Sequence, residues 1–233
     1  MSLSFTYTSY VEVYPSLLFF ITGCVCMCLD YSKPAWWKPM LSESKIVPIK
    51  TQFTVLPTVC MNILQYWILT FILDYNYIQI RETLSLNYTI YNFIFRLGIL
   101  MSFVFIWTYF VHRGIHHPSI YSYVHKKHHE FQHPFGFESL YSHPLENFLM
   151  NYIPHIVGYF LFDINEAVII AIYSYVITIL THCGHEWSWS HYIFSSDHDV
   201  HHEKFNYNYG FGMPWMDKLM GTHKPRQGSV SFY

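Results

Sequence analysis

The sequence has little charge: Asp, Glu, Lys and Arg make up 12% of its 233 residues, and the formal net charge is −2. It contains no long basic run, no glycine-rich phosphate loop and no internal repeat, so a nucleic-acid-binding or nucleotide-binding function is not indicated. The first dozen residues contain neither Lys nor Arg, which disfavours a cleaved signal peptide and predicts an uncleaved anchor. Hydrophobic residues reach 52% and aromatic residues 21%, which is typical of a membrane protein.

The sequence also has few cysteines, and their positions do not predict a disulfide framework. Four of the five lie within apolar segments (Cys24, Cys26, Cys28 and Cys60), and Cys183 directly follows His182. Such positions favour small buried thiols, and we expect the protein to face a reducing compartment.

Three apolar runs precede residue 112, and each predicts a helix that crosses a membrane. They cover 13–29, 53–73 and 90–111, close to the ~20 residues that span hydrocarbon as a helix. Asn62 within the second run, like Gln65, should face protein rather than lipid. Arg96 interrupts the third run and should either snorkel or find a partner inside the bundle.

A fourth apolar region, 148–180, is broken by Asp163, Asn165 and Glu166. It predicts either two short arms that form a hairpin in the membrane or one full span with its polar break buried. We favour the hairpin because it places His182 on the same side of the membrane as His112.

Sixteen histidines stand out against this apolar background; eight of them recur at helical spacing, and His182 is a further lone candidate between the two clusters. His-x-x-His-His occurs twice, about seventy residues apart, and an i, i+4 pair precedes the first occurrence, so each set would lie along one helix face. Imidazole suits Zn, Cu, Fe and Ni, and nine ligands are too many for one tetrahedral ion. Two ions with four or five ligands each would keep positions open for oxygen and substrate. The predicted ligands are His112, His116, His125, His128, His129, His182, His198, His201 and His202.

The order of these histidines resembles that of the integral-membrane fatty acid hydroxylase and sterol desaturase superfamily. The segments 134–136, 143–146, 182–184 and 217–222 most resemble those of sterol C-4 methyl oxidases and their close relatives, and the similarity runs from His112 to Thr222. The resemblance implies a non-haem di-iron centre that activates O2, electrons from NAD(P)H through a b-type cytochrome and its reductase, and a location in the endoplasmic reticulum membrane. It also implies a lipid substrate, with a sterol favoured and its C-4 methyl group as the position oxidised.

The sequence departs from this family pattern after His182. Many members have a second histidine four residues later, where this chain has Glu186. Glu186 could ligate through its carboxylate, His185 could substitute for it, or the site could have one ligand fewer. His143 is expected to be a structural loop residue, with orientation of a ligand as its alternative role. The other histidines are expected on the surface or in loops (His117, His133, His191 and His223), and His155 could line a substrate passage.

The side of the membrane is predicted from the distribution of lysines. Three spans place the loop after the first span, with Lys33, Lys38, Lys45 and Lys50, on the histidine side, whereas Arg81 is the only basic residue of 74–89. The positive-inside rule therefore predicts that the histidine side faces the cytosol. The sequon at Asn87 falls on the predicted lumenal side, which adds weak support.

These observations predict an all-α integral membrane protein with about four membrane-embedded helical segments and a cytosolic, histidine-rich helical cap that holds a dimetal site. Residues 1–111 would form the N-terminal transmembrane region and 112–233 the catalytic region. The predicted function is lipid hydroxylation. Sterol side-chain hydroxylation, sterol desaturation and fatty acyl hydroxylation are alternatives within the superfamily, because a shared metal frame can act on different carbons. A zinc-dependent membrane hydrolase and a non-catalytic metal-binding protein are alternatives outside it.

Overall fold

The computed structural model describes residues 12–37, 47–81, 89–162, 164–185 and 195–226, and these residues form helices and connecting loops without a β-strand. Ten α-helices are numbered in chain order: α1 Tyr14–Ser32, α2 Ile49–Gln52, α3 Leu56–Arg81, α4 Ile90–Ile115, α5 Pro118–Val124, α6 Pro144–Asn147, α7 Ile153–Leu161, α8 Ile164–His182, α9 Ser195–Lys204 and α10 Trp215–Met220. Short 3₁₀ segments occupy Phe53–Val55, His128–Glu130 and Gly136–Leu140, and a π-helical turn occupies Phe148–Tyr152.

Four helical segments are long and apolar enough to cross a membrane: Tyr14–Ser32, Ile49–Leu73, Ile90–Ile115 and Asn165–His182. The all-α fold and its four membrane-sized segments are therefore confirmed. The first three correspond to the predicted runs and differ from them by a few residues at the ends. The predicted ends follow hydropathy, whereas the observed ends follow the backbone conformation. At Lys33, for example, the backbone enters the left-handed region and α1 ends.

The region 148–180 contains two helical arms rather than one continuous helix. α7 ends at Leu161 and α8 begins at Ile164, and a Cβ on Gly158 would lie 3.8 Å from the Cα of Ala167, so the arms pack closely. α8 is longer than the predicted short arm, because the polar residues lie in its first turn and not within it. Its Glu166 is fully buried, with Oε1 3.3 Å from Nε of Arg96, so Arg96 finds a partner in the bundle. Asp163 lies outside the described residues.

The main core joins the helices of both halves of the chain. Phe19 of α1, Val59 of α3 and Ile179 of α8 are buried together with Phe137 from the 3₁₀ segment Gly136–Leu140. Gly23 is required at this contact, since a Cβ there would approach the Phe137 ring to 2.5 Å. The loop that follows the first histidine cluster is thereby fixed against the membrane helices.

Several side chains inside the apolar segments face protein, as predicted. The Asn62 side chain is buried and donates to the carbonyls of Leu140 and Ser142, at 2.9 and 3.1 Å, and Gln65 accepts from Asn147 at 3.3 Å. The cysteines differ from the prediction: all five are free, but only Cys26 and Cys183 are buried. The others occupy outward-facing helix positions (Cys24, Cys28 and Cys60).

The histidine-bearing segments lie at one end of the bundle. The end of α1 reaches this end, because Asp30 Oδ1 lies 3.6 Å from Nε2 of His185, just beyond α8. Trp37 also packs there, its ring stacked on His185 at 4.1 Å between centroids. Trp37 is therefore buried against protein, whereas Trp36 is exposed.

Candidate metal centre

All nine predicted histidines meet at the histidine end of the bundle, where they form two groups. His112 lies in the last turn of α4, His182 ends α8, and the others come from the segments 116–129 and α9. Within each group the ligand nitrogens lie within 4.8 Å of one another. The five-histidine group contains His112, His116, His125, His129 and His201, and the four-histidine group contains His128, His182, His198 and His202.

The histidines of each group approach one another through Nε2. In the five-histidine group, Nε2–Nε2 distances are 3.1 Å for His112–His125, 3.0 Å for His125–His129, 3.1 Å for His129–His201 and 3.2 Å for His116–His201. Two nitrogens bound at right angles to one ion at about 2.1 Å would lie about 3 Å apart. The separations therefore suit ligands that share a metal ion.

The four-histidine group repeats this arrangement. Its Nε2–Nε2 distances are 3.3 Å for His128–His182, 2.8 Å for His182–His198 and 3.1 Å for His198–His202. The two groups interleave along the chain, because the neighbours His128 and His129 belong to different groups, as do His201 and His202.

Backbone carbonyls fix the tautomer of four of these rings. A carbonyl can only accept, so each Nδ1 carries the proton and each Nε2 presents its lone pair. The Nδ1 donors and their acceptors are His112 to Tyr209 at 2.9 Å, His182 to Thr178 at 2.6 Å, His201 to Tyr207 at 2.7 Å and His202 to Phe131 at 3.1 Å. Each of these four lone pairs points at the Nε2 of a neighbouring histidine about 3 Å away, where one shared cation would bind both nitrogens, and the residues present therefore fit two metal ions.

Two glutamates that the sequence argument missed lie behind the ligands, one for each group. Glu146 Oε1 is 2.9 Å from Nδ1 of His125, and Glu138 Oε1 is 3.5 Å from Nδ1 of His128. Both glutamates are buried, and burial raises the pKa of each carboxyl well above its usual range; Glu146 and Glu130 add to the effect at Glu138. A carboxyl group beside a ligand ring can fix the orientation of the imidazole.

Burial also keeps the imidazoles neutral. It lowers the pKa of His116 to about 2, with His112 as a smaller cause. Burial likewise lowers the pKa well below the usual range for His125, His128, His129, His198, His201 and His202. Neutral imidazole is the form that binds metal, so the ligand nitrogens need not lose a proton before binding at physiological pH.

Asp217 organises the loop that holds His112. Its carboxylate accepts from the backbone N–H groups of Tyr209 and Gly210 at 2.8 and 2.7 Å and from the Thr222 hydroxyl at 2.8 Å. The carbonyl of Tyr209 is the acceptor for His112, so Asp217 supports a ligand through the backbone. Gly210 is needed at this turn, because a Cβ would lie 2.6 Å from Oδ2 of Asp217.

A cavity of about 50 Å³ borders both groups on the side of the membrane helices. His112 and His125 of the five-histidine group line it together with His128, His182 and His198 of the four-histidine group. The π-helical turn contributes Met150 and Asn151. A reactant in this cavity would be adjacent to both metal positions.

The remaining histidines that the structure describes lie outside the two groups. The Nδ1 of His185 is 2.7 Å from the carbonyl of Cys183 and its Nε2 faces Asp30, so His185 does not replace a ligand in this structure. His143 accepts from the N–H of Leu145 and caps α6, the structural role expected for it. His117 caps α5 in the same way, and His223 contacts Asp197 at 3.0 Å.

His155 has a partner that hydropathy did not reveal: its Nδ1 is 3.2 Å from Oε1 of Glu12, and the ring is buried. His133 is partly buried and belongs to neither group. Glu186 and His191 lie outside the described residues, as does the sequon at Asn87.

Comparison with known proteins agrees with the histidine pattern. The chain is 37% identical over 137 residues to human (Homo sapiens) fatty acid hydroxylase domain-containing protein 2, covering 58% of this chain and 40% of that protein. It is 36% identical over 128 residues to rat (Rattus norvegicus) methylsterol monooxygenase 1, covering 50% of this chain and 42% of that protein. It is 32% identical over 133 residues to the Delta(7)-sterol 5(6)-desaturase of Leptosphaeria maculans, covering 55% of this chain and 37% of that protein.

The chain spans about two fifths of the length of these relatives, and no solved structure matches it. The model of the fatty acid hydroxylase family matches residues 97–222, which include all nine clustered histidines and both glutamates behind them. The match covers more than half of the sequence, so the chain belongs to the fatty acid hydroxylase family. The family resemblance seen in the sequence is confirmed.

Proposed function

We propose that this protein is a membrane-bound non-haem di-iron oxygenase that hydroxylates a lipid, and that its reaction is oxidation of the C-4 methyl group of a sterol. The observation that carries the proposal is the convergence of nine neutral imidazoles at two points beside one cavity. The relatives named methylsterol monooxygenase support the choice of a sterol. Residues 112–233 would be the catalytic region, and 1–111 the N-terminal membrane region.

The nine histidines would hold the two ions, and iron bound there would supply the activation of O2 needed to attack an unreactive C–H bond. The chain itself has three tasks. The carbonyls behind His112, His182, His201 and His202 hold the imidazoles in the ligating tautomer. Glu138 and Glu146 orient one ligand in each group. Burial of the site keeps bulk water from the reacting carbon.

The membrane context favours a lipid over a soluble metabolite. The cavity lies between the histidines and α4, α8 and the π-helical turn, and much of the outward surface of α4 is apolar, with Ile94, Phe95 and Phe110 exposed. A substrate could therefore enter laterally from the bilayer. The electrons would come from NAD(P)H through a b-type cytochrome and its reductase, and the endoplasmic reticulum membrane is the proposed location, with the site facing the cytosol.

Metal analysis tests the class of the enzyme. Purified protein should contain about two iron atoms per chain and should consume O2 only with a reductant and a lipid substrate. Bound zinc with activity that does not depend on O2 would replace the proposal with a membrane hydrolase. Stable metal binding without any turnover would indicate a non-catalytic role.

A sterol profile tests the reaction. Cells that lack the protein should accumulate 4-methyl or 4,4-dimethyl sterols, measured by mass spectrometry. An unchanged profile of these sterols together with altered side-chain oxysterols, ring-desaturated sterols or hydroxylated acyl chains would move the reaction to another member of the superfamily. The sterol desaturases among the relatives make ring desaturation the second candidate.

Protease protection tests the orientation. A tag placed after Tyr233 should be removed when sealed microsomes are digested, because the histidine side is proposed to be cytosolic. A protected tag would invert the topology.

A further inference from the structure

Most of the side chains around the cavity beside the metal positions carry a polar group. Besides the histidines, its lining includes Thr108, Ser139 and Asn151. Among the described residues that line it, only Met150 and Phe211 have apolar side chains. A wall of this kind is suited to hold an oxygen-bearing group.

Ser139 is the hydroxyl-bearing residue of this wall with an unmet hydrogen-bonding requirement; the other wall atoms without a hydrogen-bond partner belong to the ligand candidates His125 and His128 and to Glu146 behind them. The Ser139 side chain is 6% exposed, and its Oγ has no hydrogen-bond partner among the described residues. It directly follows Glu138, whose Oε1 is 3.5 Å from Nδ1 of the metal-ligand candidate His128. A buried hydroxyl without a partner is unfavourable and is rare in folded proteins, so its position here requires a reason.

Two other hydroxyls of the same cavity wall are already satisfied. Thr181 Oγ1 donates to the carbonyls of α8, at 3.0 Å for Ile177 and 3.1 Å for Thr178. Ser142 Oγ is 3.5 Å from Nδ2 of Asn62. The hydroxyl of Ser139 therefore differs from those of Thr181 and Ser142 in having no partner among the described residues.

We infer that Ser139 hydrogen-bonds an oxygen atom of the lipid substrate, and that the carbon to be oxidised lies within a few bonds of that oxygen. The inference rests on the proposed oxygenase function and narrows its substrate class to lipids with a hydroxyl or keto group near the reacting carbon. The cavity is too small for a whole lipid and accepts only this end of it. A 4-methylsterol fits, because C-3 carries an oxygen and adjoins C-4.

The same argument disfavours substrates whose reacting carbon is far from any oxygen. A methylene in the middle of an acyl chain, or a carbon at the tip of a sterol side chain, would cover Ser139 with hydrocarbon. Sites built to bind a hydroxyl discriminate strongly against analogues that lack it, since the buried polar group then has no partner.

Binding of a matched pair of ligands tests the inference without turnover. The probes are 4,4-dimethylcholestan-3β-ol and 4,4-dimethylcholestane, which lacks the 3-oxygen, in competition with the radiolabelled alcohol on the full-length, metal-loaded protein in detergent. The unaltered protein should bind the alcohol about tenfold more tightly than the hydrocarbon. Ser139→Ala and Ser139→Cys should bind the two ligands with similar affinity while retaining affinity for the hydrocarbon.

Ser102→Ala is the matched control, because Ser102 lies on the exposed side of α4 and its hydroxyl already donates to the carbonyl of Gly98 at 2.8 Å. It should keep the tenfold preference. The inference is overturned if both Ser139 variants keep the preference, if they lose affinity for both ligands equally, or if the unaltered protein binds both ligands equally. Failure of the proposed function would appear separately, as absent iron or absent O2 consumption.

Discussion

The membrane-embedded half of the bundle and its histidine end both bury polar side chains, but they satisfy them differently. Within the bundle the polar groups pair with one another: Arg96 with Glu166, and Glu12 with His155 and Tyr175. At the histidine end the Nε2 atoms point at one another instead of at protein donors. Polar side chains that pair with one another stabilise the fold. Ring nitrogens that converge on one another instead form a candidate site for a metal ion.

His155 in α7 and His182 in α8 illustrate the difference. Both are buried, at 5% and 4% exposure, and both occur in apolar helices. His155 Nδ1 faces the carboxylate of Glu12, whereas His182 donates from Nδ1 to the backbone and directs Nε2 toward His128 and His198. The convergence of its second ring nitrogen with those of other histidines, and not burial, marks His182 as a metal-ligand candidate.

The largest effect should follow removal of one ligand from each group. His128→Ala combined with His201→Ala should lower bound iron to near zero and activity by more than about 100-fold, because the loss of a ligand exceeds the loss of a group that only orients one. Iron is measured by mass spectrometry of purified protein. His117→Asn is the control, since His117 lies outside both groups and Asn can also cap a helix. Unchanged iron in the double variant would refute the ligand assignment.

The second effect concerns the bundle and should leave the metal in place. Arg96→Met removes the cation beside the buried Glu166 carboxylate and should destabilise the protein by about 3–5 kcal/mol. The change is measured as a lower midpoint of thermal unfolding in detergent. Arg96→Met combined with Glu166→Met should recover most of this loss. If the single variant unfolds like the unaltered protein, the pair is not a stabilising element.

The third effect links the two regions through the glutamates behind the ligands. Glu146→Gln and Glu138→Gln keep the side-chain shape but replace the carboxyl group that faces the ligand ring, and each should weaken iron binding about 10-fold or more. The effect should be larger for Glu146, which lies 2.9 Å from its histidine, than for Glu138 at 3.5 Å. Competition with a graded series of chelators measures the affinity. If Glu138→Gln weakens iron binding more than Glu146→Gln, these distances do not determine how much each glutamate contributes to iron affinity.

The smallest effect is expected at His155. His155→Leu removes one of the contacts to Glu12, which also accepts from Thr70 and Tyr175, and should cost about 1 kcal/mol of stability. Bound iron should be unchanged. A loss of iron in this variant would contradict the separation between the bundle and the histidine end.

The sequence was sufficient for the membrane helices and for the members of the site. Long apolar runs predict helices, because unpaired backbone groups are costly in hydrocarbon. Recurring spacing identified eight of the nine histidines, and His182 was a lone candidate between the two clusters. The sequence did not predict how the nine histidines divide between the two groups. Neighbouring residues of a helix point about 100° apart, so His201 and His202 join different groups, although they occur in the same motif.

The carboxylates could not be predicted because they have no repeated spacing. Glu138 and Glu146 reach their histidines through the fold of the loop after the first cluster, which depends on the packing of Phe137 against α1 and on the contacts of Asn62. The pairing of His155 with Glu12 joins positions 143 residues apart, and hydropathy contains no information about such a contact.

The interleaving of the two groups sets the order in which the site can assemble during synthesis. Of the nine histidines, α9 contributes three, and it provides ligand candidates for both groups. On the proposed assignment, neither ion can gain its full set of ligands until residue 202 has left the ribosome, by which time every membrane-sized helix described here has been made. Metal loading is thus a late event that closes the fold, and a chain truncated before α9 would insert its helices but retain neither ion firmly.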